Sequence, residues 1–79
     1  MAKVQIEKFE DGLLSSLRNR RGTAASVAST LGRALELTTD DPVRVVARAL
    51  NTYEVRADLM GGDGQVHTPD VLVWRVRGI

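Results

Sequence analysis

Asp40-Asp41-Pro42-Val43-Arg44-Val45-Val46-Ala47-Arg48-Ala49-Leu50-Asn51-Thr52 is the stretch on which the fold turns. Asp41 is placed to cap a helix, and Pro42 stands at the first helical position, where a missing N–H costs nothing. Both aspartates suit the positive end of a helix dipole. Val43, Val46, Ala47 and Leu50 then recur at i, i+3, i+4 and i+7. The spacing predicts an amphipathic helix with Arg44, Arg48 and Asn51 on its polar face and Thr52 beside them. Those arginines either serve a ligand or simply solvate the outer face of a packed helix.

Upstream, Phe9, Leu13 and Leu17 lie four apart, with Leu14 widening the face, which predicts a first helix ending near Asn19. Gly12 weakens its start. Asn19-Arg20-Arg21-Gly22 reads as a turn, and Val4-Gln5-Ile6 as a short strand or an arm within residues 1–8. Thr23 is a good N-cap for a second helix, whose stripe is Val27, Ala28, Leu31, Ala34 and Leu35. Ala24, Ala25, Ala28 and Ser29 let it approach its neighbours, and Gly32 leaves its end at Leu31 or Glu36.

Downstream of Tyr53 the period changes to two. Val55, Ala57 and Leu59 alternate with Arg56, Asp58 and Met60. Gly61-Gly62-Asp63-Gly64 is a turn, because glycine supplies the positive φ a reversal needs. Val71 to Arg77 is the strongest strand, with Leu72, Trp74 and Val76 on one face. Trp74 reads as a core or interface aromatic.

The chain has 79 residues, 43% hydrophobic and 27% charged, with a net charge of +1. That describes one domain over residues 1–79 with one small core. No apolar run approaches the ~20 residues of a membrane span, and the N-terminal residues alternate without an apolar signal core, so a cytoplasmic protein without a membrane partner is expected. Cysteine is absent and His67 is the only histidine, so thiolate chemistry, a metal site and a nucleophile–base pair lack their residues. No catalytic residue, metal or cofactor is expected. Charge is uneven: Arg18, Arg20, Arg21 and Arg33 fall in a stretch without an acid, whereas five arginines face six acids from Asp40 onward. Arginine forks onto phosphates and base edges, but high-GC coding produces the same bias.

The chain from Phe9 to Arg77 resembles a winged helix-turn-helix DNA-binding domain. Thr23 to Gly32 is similar to the second helix of that family, and Asp41 to Leu50 to its recognition helix. Tyr53-Glu54-Val55-Arg56 and Val73-Trp74-Arg75-Val76 would frame the wing. The resemblance implies an α+β fold of three helices with a C-terminal two- or three-stranded antiparallel wing hairpin. It implies double-stranded DNA as partner and a role in transcription regulation. Arg44, Arg48 and Asn51 would read base edges in the major groove, with Thr52 beside them. The Thr23 and Ser26 backbone N–H groups would meet phosphate, flanked by Arg20 and Arg21. Arg56 on the wing stem, with Gln65 and His67 near its tip, would reach the minor groove or backbone.

Plainer readings stand beside these. Arg20 and Arg21 also suit an ordinary polar turn, and His67 a solvent-exposed position. The near-neutral charge, with Asp58, Asp63 and Asp70 in the wing, motivates an alternative: a protein-interaction or inhibitor module, phage- or plasmid-encoded, docking on a protein complex. An apolar Val71/Val73 face left uncovered would give a motive for a homodimer. A strand pairing with another chain, as in an assembly protein, is a third reading.

Overall fold

The computed structural model describes residues 2–79. Two strands, β1 (Lys3–Glu10) and β2 (Leu13–Arg21), precede a single helix, α1 (Ala24–Thr38). Three strands follow: β3 (Val43–Ala49), β4 (Thr52–Met60) and β5 (Val66–Gly78). All five form one antiparallel sheet in the order β2-β1-β5-β4-β3. The α+β class stands, but the three-helix winged architecture is overturned.

The expected first helix is the β1–β2 hairpin. Its turn is Asp11-Gly12, at φ 51° and 78°. Two consecutive residues at positive φ make the tight reversal whose twist matches antiparallel strands. A helix would need both in the right-handed region, so the turn excludes it. Val4-Gln5-Ile6 lies within β1.

The expected third helix is β3. Val43, Val45 and Val46 carry branched Cβ atoms, which favour a pleated strand over a helix. Asp41 caps nothing here. Its backbone N–H donates to Thr39 Oγ1 at 3.2 Å, and its Oδ1 accepts from the Met60 N–H at 3.1 Å. The Pro42 carbonyl accepts from the Asp58 N–H at 3.0 Å. The Asp-Pro step thus fastens β3 to β4.

The second expected helix is present as α1 and runs on to Thr38. Thr23 is its N-cap, accepting from the Ser26 N–H at 3.1 Å. Val27, Ala28 and Leu31 of its stripe are buried and Leu35 packs against them; Ala34 is exposed. They cover Val4, Ile6, Val55 and Val76 on the sheet, with Val43, Tyr53 and Trp74 at the margin. The β4–β5 hairpin matches the expected alternation and turn. One detail differs: Val55 faces Trp74 and the next pair is Arg56–Leu72, so Val73 is skipped. This bulge turns Leu72 away from the face that holds Trp74 and Val76. Val71, opposite Ala57, and Val73 are both half-buried.

Gly32 sets how closely the helix approaches the sheet. A Cβ there would lie 2.9 Å from Val45 Cγ2. Glycine inside a helix ordinarily costs ~0.5–1 kcal/mol relative to alanine. Here the sign is expected to reverse. Gly32→Ala should lower stability by ~1–3 kcal/mol in urea unfolding, because α1 must lift off β3. A gain in stability would contradict the close packing.

Candidate functional site

The sheet has two unlike faces. In a strand, successive side chains point to opposite sides. One side of the sheet holds Val4, Ile6, Val55 and Val76 beneath α1. The other side has no helix and carries the charges. There Glu7, only 5% exposed, receives a forked pair from Arg75: Nε to Oε1 and Nη2 to Oε2, each 3.1 Å. Arg77 Nη2 reaches the same carboxylate at 2.7 Å. Glu54, 8% exposed, accepts from Arg48 Nε at 2.6 Å and Arg56 Nε at 2.9 Å. Arg44 Nη2 lies 3.0 Å from Asp58 Oδ1 and 2.7 Å from Asp70 Oδ1. Asp70, at φ 54°, donates its N–H to Asp58 Oδ1 and accepts Arg56 Nη1 on its carbonyl at 2.8 Å. Arg75 also sits 5.3 Å over the Phe9 ring, within cation–π range.

The expected base readers therefore bind carboxylates of their own chain. Arg44, Arg48 and Arg56 are members of this lattice. Asn51, at φ 58°, makes the β3–β4 turn, and its carbonyl accepts from the Gly78 N–H at 2.7 Å. Thr52 opens β4 opposite Arg77. The Thr23 hydroxyl and the Ser26 N–H are spent on each other in the cap. Gln65 and His67 do lie near the hairpin tip, as expected. His67 Nε2 contacts the two Asp63 carboxylate oxygens at 3.0 and 3.1 Å, and the Gln65 N–H donates to Asp63 Oδ1 at 3.0 Å. That turn is closed on itself.

Arg20 and Arg21 are different. They end β2, which pairs with β1 alone and is exposed along all nine residues. With Lys3 and Asn19 they line a shallow recess of about 120 Å³. Among the described residues, Lys3, Lys8, Arg18, Arg20, Arg21 and Arg33 have no carboxylate partner. The five arginines after Asp40 all have one. The other half of β2 is apolar: Leu13, Leu14 and Leu17 are 74%, 52% and 55% exposed. Leu14 lies opposite Phe9, and Leu17 opposite Glu7. Both therefore stand on the uncovered face, beside the charge lattice.

The β2 edge is the surface that reading the residues one helix at a time missed. The signal for it was present: Asp11-Gly12 between two apolar-alternating runs is a strong hairpin mark.

The lattice makes stability depend on pH. Hydrogen bonding from Arg75 holds the Glu7 carboxyl below its ordinary 4.5, against the opposing effect of burial. Burial pulls Glu54 upward, but the bonds from Arg48 and Arg56 outweigh it and the net shift is also down. A lowered folded value gives stability that is complete above the unfolded value and lost as the pH falls through the folded one. Stability is thus expected to fall below about pH 4.5. Glu7→Gln should flatten that slope and cost ~1–3 kcal/mol at neutral pH, because Arg75 and Arg77 lose the charge and one of the two oxygens of their shared acceptor. Urea unfolding at several pH values checks both.

No helix among the described residues is long and apolar enough to cross a membrane. Comparison with protein-family models, with curated proteins and with solved structures finds no match for this chain.

Proposed function

We propose that this domain is a protein-interaction module and that β2 is its contact surface. The observation that carries this reading is a nine-residue strand at a sheet edge, exposed throughout, with three leucines in its first half. An unpaired strand offers a row of free N–H and C=O groups to a further strand. Partner strands bind in this way through main-chain hydrogen bonds, with side-chain positions adding selectivity. On the uncovered sheet face, Arg44, Arg48, Arg56, Arg75 and Arg77 each meet a carboxylate.

The experiment is a pull-down with nuclease treatment. The protein should retain a polypeptide partner, either another protein or a second copy of itself, after nucleic acid is digested. The double variant Leu14→Ser/Leu17→Ser should lose that partner while keeping its circular dichroism spectrum. Retention of the partner by the variant would remove β2 from the interface.

One observation favours a second reading, duplex DNA binding along the backbone. Lys3, Arg20 and Arg21 line one recess, Arg18 follows on the same strand, and none has a carboxylate partner among the described residues. Phosphate contacts of this kind release counterions, so affinity should drop steeply as salt rises. Under this reading Arg20→Ala and Arg21→Ala weaken all duplexes alike, whereas Arg44→Ala leaves duplex affinity unchanged and lowers stability. Anisotropy with random duplex at low and moderate salt decides. Undetectable binding at low salt removes the DNA reading.

A further inference from the structure

We propose that β2 pairs antiparallel with β2 of a second copy of this chain, about a two-fold axis at Leu17, joining the two sheets into one. The proposal rests on the interaction reading of β2 above and gives that surface its partner.

The sheet has two edges, and they are not equivalent. β3 is directly preceded by Pro42 and has α1 over it through Gly32 and Val45. Proline and a covering helix are devices that blunt an edge. β2 has no covering helix. Its residues are exposed along its full length, and its ladder groups on the side away from β1 have no strand beside them.

The sequence of β2 is self-complementary in one orientation. Its first half is Leu13-Leu14-Ser15-Ser16, preceded by the acidic turn Glu10-Asp11. Its second half is Arg18-Asn19-Arg20-Arg21. A two-fold axis at Leu17 sets Ser16 against Arg18 of the other copy; Ser15 is the extra residue of the β1–β2 bulge, so beyond it Leu14 meets Asn19 and Leu13 meets Arg20, with Arg21 at Gly12. Arg20 and Arg21 fall within roughly 10 Å of the partner copy's acidic turn, at a rise of ~3.3 Å per residue. Glu10 and Asp11 have no cation partner among the described residues, and neither do Arg20 and Arg21. Two such charge meetings result, one at each end. Parallel pairing would instead stack arginine on arginine, which costs energy.

The apolar residues agree with the same axis. Leu17 meets its own copy at the centre, and Leu14 flanks it on the same face, next to Phe9. Pairing turns two exposed patches into one strip running across the junction. An isologous contact of this kind closes on itself and leaves no free β2 edge. A single strand edge buries an area at the low end of specific interfaces, so the dimer is expected to be weak, with a dissociation constant on the order of micromolar.

The chain has no cysteine, which makes a site-directed test direct. Leu17→Cys should form a disulfide-linked dimer under mild oxidation at tens-of-micromolar protein, at least tenfold faster than Leu37→Cys on the exposed face of α1. Analytical ultracentrifugation of the unaltered protein should show monomer and dimer exchanging with concentration. Arg20→Glu/Arg21→Glu should weaken the dimer at least tenfold, and adding Glu10→Lys/Asp11→Lys to the same chain should restore it. Circular dichroism of each variant verifies the fold. A protein monomeric to millimolar concentration, with Leu17→Cys no faster than Leu37→Cys, overturns self-pairing. If Leu14→Ser/Leu17→Ser then still abolishes capture of a different polypeptide, the interaction reading survives without the dimer. If it does not, both fall.

Discussion

One helix has to cover one face of a five-stranded sheet, and the rest of the molecule is arranged around that shortage. An α-helix is ~10–12 Å across, whereas five strands spaced ~4.8 Å apart span about 20 Å. A 15-residue helix is also only ~22 Å long, against a molecule 44 Å in its longest dimension. α1 therefore cannot reach everything. It lies over β3, β4 and β5 and touches the sheet as far as Val4 and Ile6 of β1. β2 is left outside, and so is the whole opposite face.

The opposite face is settled with charge rather than hydrocarbon. Glu7 and Glu54 lose almost all contact with water, yet each keeps two arginines. The arginine stems do the covering, and their heads remain partly wet. This suits arginine, whose planar fork satisfies a carboxylate while its stem lies flat on neighbours. A consequence is that the cationic residues divide into two populations. Those after Asp40 are consumed in holding the sheet face together. Those before it have no internal acid, and all but Arg33 of α1 stand on β1 and β2. The formal charge of +1 hides this division completely.

How far the sequence disclosed this can be seen at three places. Thr23 and the stripe Val27, Ala28, Leu31 and Leu35 specify α1 without ambiguity, because a cap and a helical period coincide. The β4–β5 hairpin is equally legible, since alternation flanks a glycine turn. The region Val43 to Leu50 is legible in two ways. Val43, Val46, Ala47 and Leu50 satisfy a helical period, while Val43, Val45, Ala47 and Ala49 satisfy a strand period. Branched Cβ atoms and the turn-forming Asn51 decide for the strand, and both are local signals weaker than a clean period. Phe9, Leu13 and Leu17 posed the same trap, and Asp11-Gly12 was the cue that outranked it. The core was half visible for this reason: residues that face inward on a helix at spacing four also share a face on a strand.

That last coincidence explains why the expected site failed. Arg44 and Arg48 are four apart and do lie on one face, as the spacing implies under either structure. On an isolated helix that face would meet solvent. On a strand it meets Glu54 and Asp58 of the neighbouring β4, with Asp70 reaching in from β5. Sequence separation carries no information about which residues arrive from across a sheet, since pairings such as Glu7 with Arg75 bring together residues 68 positions apart. Charges on a helix can be judged from one segment. Charges on an interior strand face can be judged only once the register of its neighbours is known. Of the two edge strands, β3 has its arginines met by acids of β4 and β5, whereas the arginines and leucines of β2 stay uncompensated. In this chain that makes β2, rather than any arginine after Asp40, the place where an external partner can do what the fold itself leaves undone.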